Sequence, residues 1–421
     1  MPKKSIKIDT ALRKAGVAAA AVILGASAWF VAKWCIASSA LERADNTELA
    51  VYLTRLAPDD PRTHYVAAQL FEKNFDSADF EKALIEYEIA AGLSPENYIL
   101  WLDLGRARER SGDAGSAELV FRRALSLAPN YARVQWMVGN ALLRQGRVEE
   151  AFGHIGKAVA GDKAFAVPAA NSAWQFFDGD VAAIRRATGD SIAFDGALAG
   201  LLARENRFEE AIAIWDSLPS AEKKLSLKDT GTALLAKLLE AKNFRYAVRV
   251  SASLVDGAET PGTITNGGFE LAVKPDGAGQ FEWQIASGVQ PQIVLNNSQK
   301  HGGSNSLLLI FNSTDGKDFR TISQTVALEP GKDHEVALFY RADLKTNATF
   351  RWEIADTADG KSMATTGPIT VKADWTPLAV KFRTGPATDG VILRLVRESC
   401  TAVCPVTGNL WFDDFSLRTA Q

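Results

Sequence analysis

The chain has 421 residues, with 47 Lys and Arg against 50 Asp and Glu, for a net charge of −3. Near-neutrality excludes a general nucleic-acid binder, whose attraction to phosphates needs a basic surface. An apolar share of 47% is that of a folded chain, and the length suits about two or three domains.

Lys3, Lys4, Lys7, Arg13 and Lys14 precede an uncharged apolar run from Ala15 to Ala32. A run of this length can cross the hydrocarbon core of a bilayer. Lys33 can snorkel from its end, so that Trp34, Cys35 and Ile36 extend the span. Beyond it, Glu42, Asp45 and Glu48 outweigh Arg43, and the positive-inside rule puts the N-terminus in the cytoplasm. Residues 1–40 therefore read as a basic tail and a single-pass anchor in a bacterial-type inner membrane, with the rest of the chain extracytoplasmic. A cleaved signal peptide is the alternative, because Ser38-Ser39-Ala40 offers small residues to a peptidase. Lys33 and Trp34 before Cys35 argue against a lipoprotein.

Residues 41–256 read as helical repeats. From Tyr98, Trp101, Leu104 and Gly105 fall on a first helix, Gly112 in a turn, and Ala117, Phe121 and Ala124 on a second helix closed by Pro129. Small residues stand where the two helices touch, and large apolar ones fill the wedge between them. One period of 34 residues back gives Pro95, Ala83, Tyr87 and Ala90, with Leu70 and Phe71 on the preceding helix. A further period back reaches Pro61, after a lone helix over 49–56. One period forward gives Val138, Gly139, Leu142, Gly146, Ala151 and Ala158. Over residues 64–163 this resembles the tetratricopeptide-repeat family. Leu198, Leu202, Ala211 and Trp215 suit a fifth unit, and Leu234, Leu238 and Ala247 a sixth. Between them, 164–190 (Pro168, Asn171, Trp174, Gly179) keeps helical composition without the register, as a degenerate or shortened repeat would.

The resemblance implies a concave groove lined by the first helix of each repeat. Arg106, Arg110, Arg133 and Arg144, with Trp136 and Asn140, would then form a basic stripe flanked by apolar groups. Guanidinium forks suit carboxylates on a peptide tail or an acidic polysaccharide. The bland reading is a set of solvated helix faces partly neutralised by Glu109, Glu149 and Glu150.

Asp256-Gly257 and Pro261-Gly262 end the helical pattern, and 257–421 reads as strands separated by turns. Strands are expected at 306–311, 319–328, 335–341, 348–354, 368–371, 378–382, 390–396 and 410–417. This spacing predicts a β-sandwich or barrel, and about 155 residues suit one jelly roll. The fold class is thus a membrane helix, an all-α solenoid and an all-β sandwich.

The sandwich region opens with Asn266-Gly267-Gly268-Phe269-Glu270 and closes with Trp411-Phe412-Asp413-Asp414-Phe415-Ser416-Leu417. Between them lie Gly302–Leu307 and Asp374-Trp375-Thr376. This resembles the galactose-binding-like jelly rolls, in particular carbohydrate-binding modules. The resemblance implies that Glu270 and Asp414, with Asp413 behind them, meet on adjacent edge strands and hold a structural calcium ion, or else cap strand ends. Calcium takes hard oxygen ligands of this kind.

Sugar binding needs an aromatic platform and hydrogen-bonding groups. Of the available rings, Trp375 and Trp411 stand where the family buries them, and Trp352 alternates with Phe350 and Ile354 as a core residue would. Trp283 and Tyr340 remain. Arg341 and Arg351 are candidates for glycan contact in a polar cleft, or are simply solvated. Cys400 and Cys404, close together in one loop, suit a disulfide in an oxidising compartment.

No phosphate loop, zinc spacing or nucleophile elbow is present in the sequence, and nothing fixes a separation for Glu353 and Glu270 as a glycosidase pair. The sequence therefore reads as a non-enzymatic scaffold for assembly or export of extracellular polysaccharide, docking envelope proteins and touching glycan. The alternative is a protein adaptor of a secretion or pilus machine, and a glycan-active enzyme comes last. Exposed rings on the sandwich would favour the first reading, and buried tryptophans with an exposed apolar groove the second.

Overall fold

The computed structural model describes residues 10–74, 76–255, 260–315 and 318–419. Lys3, Lys4 and Lys7 of the basic tail, and the Asp256-Gly257 break, lie outside them. Helix α1, Ala11–Leu41, starts where the Thr10 hydroxyl accepts the Arg13 N–H at 3.4 Å. It is long and apolar enough to cross a membrane, and no residue of its apolar window is buried among the described residues. Only its end is engaged: Ala37 is buried with Leu53 and Ala57, beside helix α2 (Thr47–Leu56).

Three helical hairpins follow: α3 and α4 (Pro61–Lys73, Ser77–Leu93), α5 and α6 (Tyr98–Arg110, Ala114–Leu127), α7 and α8 (Ala132–Arg144, Val148–Gly161). Asp60, Asp76, Asn97 and Asp113 start the first four by accepting main-chain N–H groups two or three residues on. Gly112 and Gly146, with φ of 87° and 76°, turn the chain between the helices of a hairpin. The repeat glycines inside helices have a different cause. A Cβ on Gly105 would stand 2.6 Å from the Phe121 ring, and one on Gly139 would stand 2.8 Å from Ile155. Close helix contact leaves no room for a side chain there, as the tetratricopeptide pattern implies.

Residues 164–190 are a shortened unit. A 3-10 turn at Lys163–Phe165 leads into α9 (Ala166–Phe176) and α10 (Val181–Thr188). Pro168 sits in the first turn of α9, where its missing N–H breaks no helical bond. The fifth and sixth units are α11 and α12 (Ile192–Arg204, Phe208–Ser217), the short α13 (Ser220–Lys224), and α14 and α15 (Lys228–Glu240, Phe244–Leu254). Leu198, Leu202, Ala211, Trp215, Leu234, Leu238 and Ala247 are all buried, as their register requires.

The chain divides into two compact units, one up to Phe194 and one from Asp195 onward. The later helices therefore share a unit with the strands, ahead of the helix-to-strand change near residue 257. Arg245 of α15 holds Asp389, 144 positions away, through its main-chain N–H at 2.9 Å and its guanidinium.

The strand region is a two-sheet antiparallel sandwich. In chain order the strands are β1 (Gln284–Ile285), β2 (Gln292–Asn296), β3 (Ser306–Ser313), β4 (Ile322–Ala327) and β5 (Asp333–Lys345). They continue with β6 (Thr349–Asp356), β7 (Ser362–Thr365), β8 (Lys372–Arg383), β9 (Gly390–Glu398) and β10 (Val406–Thr419). One sheet runs β1-β4-β9-β6-β7 and the other β2-β3-β10-β5-β8. Alternation sends Phe350, Trp352 and Ile354 of β6, Val336, Leu338 and Tyr340 of β5, and Leu410 and Phe412 of β10 into one shared core.

One expected strand is absent. Residues 366–370 carry no strand; β7 forms just before them instead. Gly367 and Pro368 interrupt the pairing, since proline has no N–H to offer a ladder. Thr366 and Ile369 still donate their N–H groups to the carbonyls of Trp352 and Phe350, at 2.9 and 3.0 Å. The edge strands β1, β2 and β7 lay below the sequence signal, being short and without clear alternation.

Candidate functional site

In the repeat region, the side chains of α3, α5 and α7 form a charge ladder. Arg106 reaches Glu72 at 3.4 Å and Asp103 at 3.5 Å, and Arg110 pairs with the other oxygen of Glu72. Tyr87 and Tyr65 donate their hydroxyls to Glu72 and Asp103, at 2.7 and 2.6 Å. Burial, then those carboxylates, hold both phenols well above the usual tyrosine range. Arg144 repeats the motif one unit on, with Glu109 at 2.6 Å.

Of the six expected groove residues, three arginines are therefore already matched to carboxylates. Asn140 donates to the Trp136 carbonyl at 2.9 Å, and the Trp136 ring stacks on Phe165 with centroids 5.2 Å apart. Arg133 is exposed, and among the described residues no ion pair holds it. The sequence reading considered Glu109 but missed Glu72, Asp103 and Tyr65. Spacing could have found Glu72, which stands one 34-residue period before Arg106.

In the sandwich, Glu270, Asp413 and Asp414 converge on one turn, residues 301–305. Glu270 Oε1 accepts the N–H groups of Ser304 and Asn305 at 2.7 and 3.2 Å, which hold its carboxyl below the usual range. Asp413, fully buried, accepts those of His301 and Gly302 at 2.9 and 3.1 Å; burial nonetheless pushes its carboxyl upward. Asp414 accepts from His301 Nδ1 at 2.6 Å. A Cβ on Gly302 would lie 2.7 Å from both Asp414 oxygens, and one on Gly303 would lie 2.0 Å from Glu270. Only a Gly-Gly turn leaves the two carboxylates their places.

Arg341 and Arg351 do not share a cleft. Arg341 lies on β5 and Arg351 on β6, strands of different sheets. Arg341 bonds Asp374 at 2.6 Å, with its guanidinium 5.9 Å from the Trp411 ring centre. Trp411 is buried as expected, but opposite Leu308 and Arg341 on the outside of its sheet, since Leu410 and Phe412 face the core. Trp375 departs from expectation: it is half-buried, with its ring centre 5.7 Å from His301. Trp283, Trp352 and Tyr340 are core.

The other sheet carries a polar row that the sequence did not reveal. Strand register aligns Gln284, Ser323, Arg394, Glu353 and Thr365 across all five strands, a span of roughly 19 Å at the usual strand spacing. Arg394 and Glu353 pair at its centre, at 2.5 Å. Arg351 joins the same sheet and bonds the Thr366 carbonyl at 3.3 Å. Glu353 and Glu270 belong to separate places, one in this row and one at the 301–305 turn. Cys400 and Cys404 are joined by a disulfide.

These features belong to a two-module protein, a helical-repeat module followed by a two-sheet antiparallel sandwich. Residues 70–132 and 102–166 match the family model for the tetratricopeptide repeat, and residues 262–399 match that for a carbohydrate binding domain. A solved structure described as "CBM4 structure and function" is similar at 16% identity, covering 37% of this chain and 99% of that one, with a TM-score of 0.29. TmCBM61 in complex with beta-1,4-galactotriose is similar at 16% identity over 37% and 97%, with a TM-score of 0.27. "MamA 41-end from Desulfovibrio magneticus RS-1" is similar at 17% identity over 44% and 89%, with a TM-score of 0.29. No curated protein matches the chain.

Proposed function

We propose that the chain is a membrane-anchored, extracytoplasmic scaffold that supports assembly or export of an extracellular polysaccharide. The repeats dock an envelope protein and the sandwich touches glycan. The observation that carries this reading is the union, on one chain, of tetratricopeptide repeats and a carbohydrate-binding-type sandwich behind an apolar helix. A fold alone does not fix a function, so the reading rests on the sites. The polar row offers hydroxyl-binding groups, with the Glu353–Arg394 pair presenting both acceptor and donors. Arg133 is the groove cation left available to a partner's carboxylate.

A calcium ion belongs to the same reading. The carboxylates of Glu270 and Asp414 flank one Gly-Gly turn and are hard oxygen donors of the type calcium takes. Among the described residues no group of three or more acidic, histidine or cysteine side chains surrounds a metal position. Main-chain carbonyls would have to complete the set, and the ion would fasten the turn to the segment of Glu270, which lies in no strand, and to β10, the central strand of its sheet rather than the edge strand expected.

The burial of Trp283, Trp352 and Trp411 favours a second reading. With those three rings unavailable to stack on sugar and Trp375 only partly exposed, the sandwich would act as part of a protein adaptor for an envelope machine.

Binding of the full-length protein to a glycan array, with calcium and with chelator, separates the two. Saturable binding to one glycan class, lost in a folded Glu353→Gln/Arg394→Gln variant, supports the polysaccharide role. A folded protein that binds no glycan in either condition overturns it in favour of the adaptor.

A further inference from the structure

A cavity of about 310 Å³ opens where α15 meets one end of the sandwich. Arg245, Tyr246 and Arg249 line it from the helix, Glu329 and His334 from the β4–β5 connection and the start of β5, and Thr419 from the end of β10. Its size falls at the lower end of small-ligand pockets. The Arg245–Asp389 clasp holds the helix against the strands there, so the cavity belongs to a fixed arrangement within one compact unit.

His334 is the unusual wall. It continues the inward row of Val336, Leu338 and Tyr340 and is only 3% exposed. Its Nδ1 lies 3.4 Å from the Thr419 hydroxyl, while Nε2 is buried with no hydrogen-bond partner of good geometry among the described residues. Burial lowers its pKa, and the Glu329 main chain with the charges of Asp333 and Glu329 only partly opposes this. A buried polar atom left unmatched is costly, and a hydroxyl group in the cavity would satisfy it.

Charge then selects the ligand class. Arg245 already holds Asp389 and Arg249 already holds Asp216. With Glu329, three carboxylates surround two guanidinium groups, so an anion would have to displace an aspartate. A neutral polyol meets no such cost, because each hydroxyl both donates and accepts. Glu329 accepts, the arginines and the Tyr246 phenol donate, and the phenol ring supplies an apolar face.

We propose that this cavity binds one neutral sugar residue, at a site distinct from the polar row of the sheet. It stands independently of glycan binding by that row. The test uses the full-length protein in a phosphocholine detergent, with saturation-transfer NMR against D-glucose, D-galactose, D-xylose and D-glucuronate. The expected result is saturable transfer to at least one neutral sugar and none to glucuronate. Tyr246→Phe with Arg249→Gln should weaken it about tenfold or more, and Glu353→Gln/Arg394→Gln should leave it unchanged. Thr419→Trp, at an exposed strand end, fills the cavity without altering any residue of the helix and should abolish the signal while melting stays as in the parent protein. Absence of transfer to all three neutral sugars, preference for glucuronate, or binding that survives Thr419→Trp overturns the proposal.

Discussion

Glu72 and Arg106 occupy positions one repeat apart and are joined at 3.4 Å, and the same carboxylate holds Arg110 and the Tyr87 hydroxyl. The expected basic stripe is in large part a ladder of ion pairs between successive hairpins. Ion pairs that are partly shielded and share hydrogen bonds contribute more than isolated surface pairs.

Replacing Glu72 by Gln should strip Arg110 and the Tyr87 phenol of their anionic partner and leave Arg106 with Asp103 alone. The expected cost is about 1–3 kcal/mol of stability in the repeats, read by urea unfolding. A loss within error of zero would show that the ladder is ornamental to the fold.

Two glycine substitutions should move in opposite directions. Gly105→Ala pushes a methyl group to 2.6 Å from the Phe121 ring and should cost about 1–3 kcal/mol by overpacking. Gly153→Ala, inside α8 with nothing within 4 Å, should gain up to about 1 kcal/mol from helix propensity. Thermal melting of the pair decides whether close approach, rather than flexibility, explains the repeat glycines.

His64 should make the first hairpin pH-sensitive. Burial alone would lower its pKa, but Glu86 at 2.5 Å and the Pro58 carbonyl at 2.9 Å raise it above the ordinary value of 6.5. Its stabilising contribution is therefore complete below about pH 6.5 and lost as pH rises through the raised folded value. Melting temperature followed upward from pH 6 should show this fall, and His64→Gln should flatten it. An unchanged pH profile in the variant would assign the dependence elsewhere.

Calcium should raise the melting temperature of the sandwich, and chelator should reverse the rise. At a hundredfold excess over the dissociation constant, the expected gain is about 2.7 kcal/mol. Glu270→Gln and Asp414→Asn should each remove the response. A parent protein indifferent to both calcium and chelator would leave the 301–305 turn held by hydrogen bonds alone.

Local chemistry made much of the fold legible. The 34-residue period, the turn glycines and the closing prolines mark helices that the structure places close to expectation, because each rule acts within one hairpin. Short apolar runs between turn residues likewise marked β3, β5, β6, β9 and β10, of which β5 and β6 bury nearly every second residue. The short edge strands and the interrupted 366–370 segment escaped, since pairing there depends on a neighbour rather than on pattern.

The sequence by itself determined the two modules, their order and the apolar helix ahead of them. Tertiary structure alone decided which charges are spent and which remain available. Arg106 and Arg144 look alike in sequence to Arg133, yet the first two meet carboxylates one repeat away. Arg341 and Arg351 look like partners, yet strand order puts them on different sheets. The polar row and the cavity beside α15 assemble from residues far apart in the chain. The physical reason is one throughout: periodicity reports the face of an element, while the partner of that face is set by register and packing between elements.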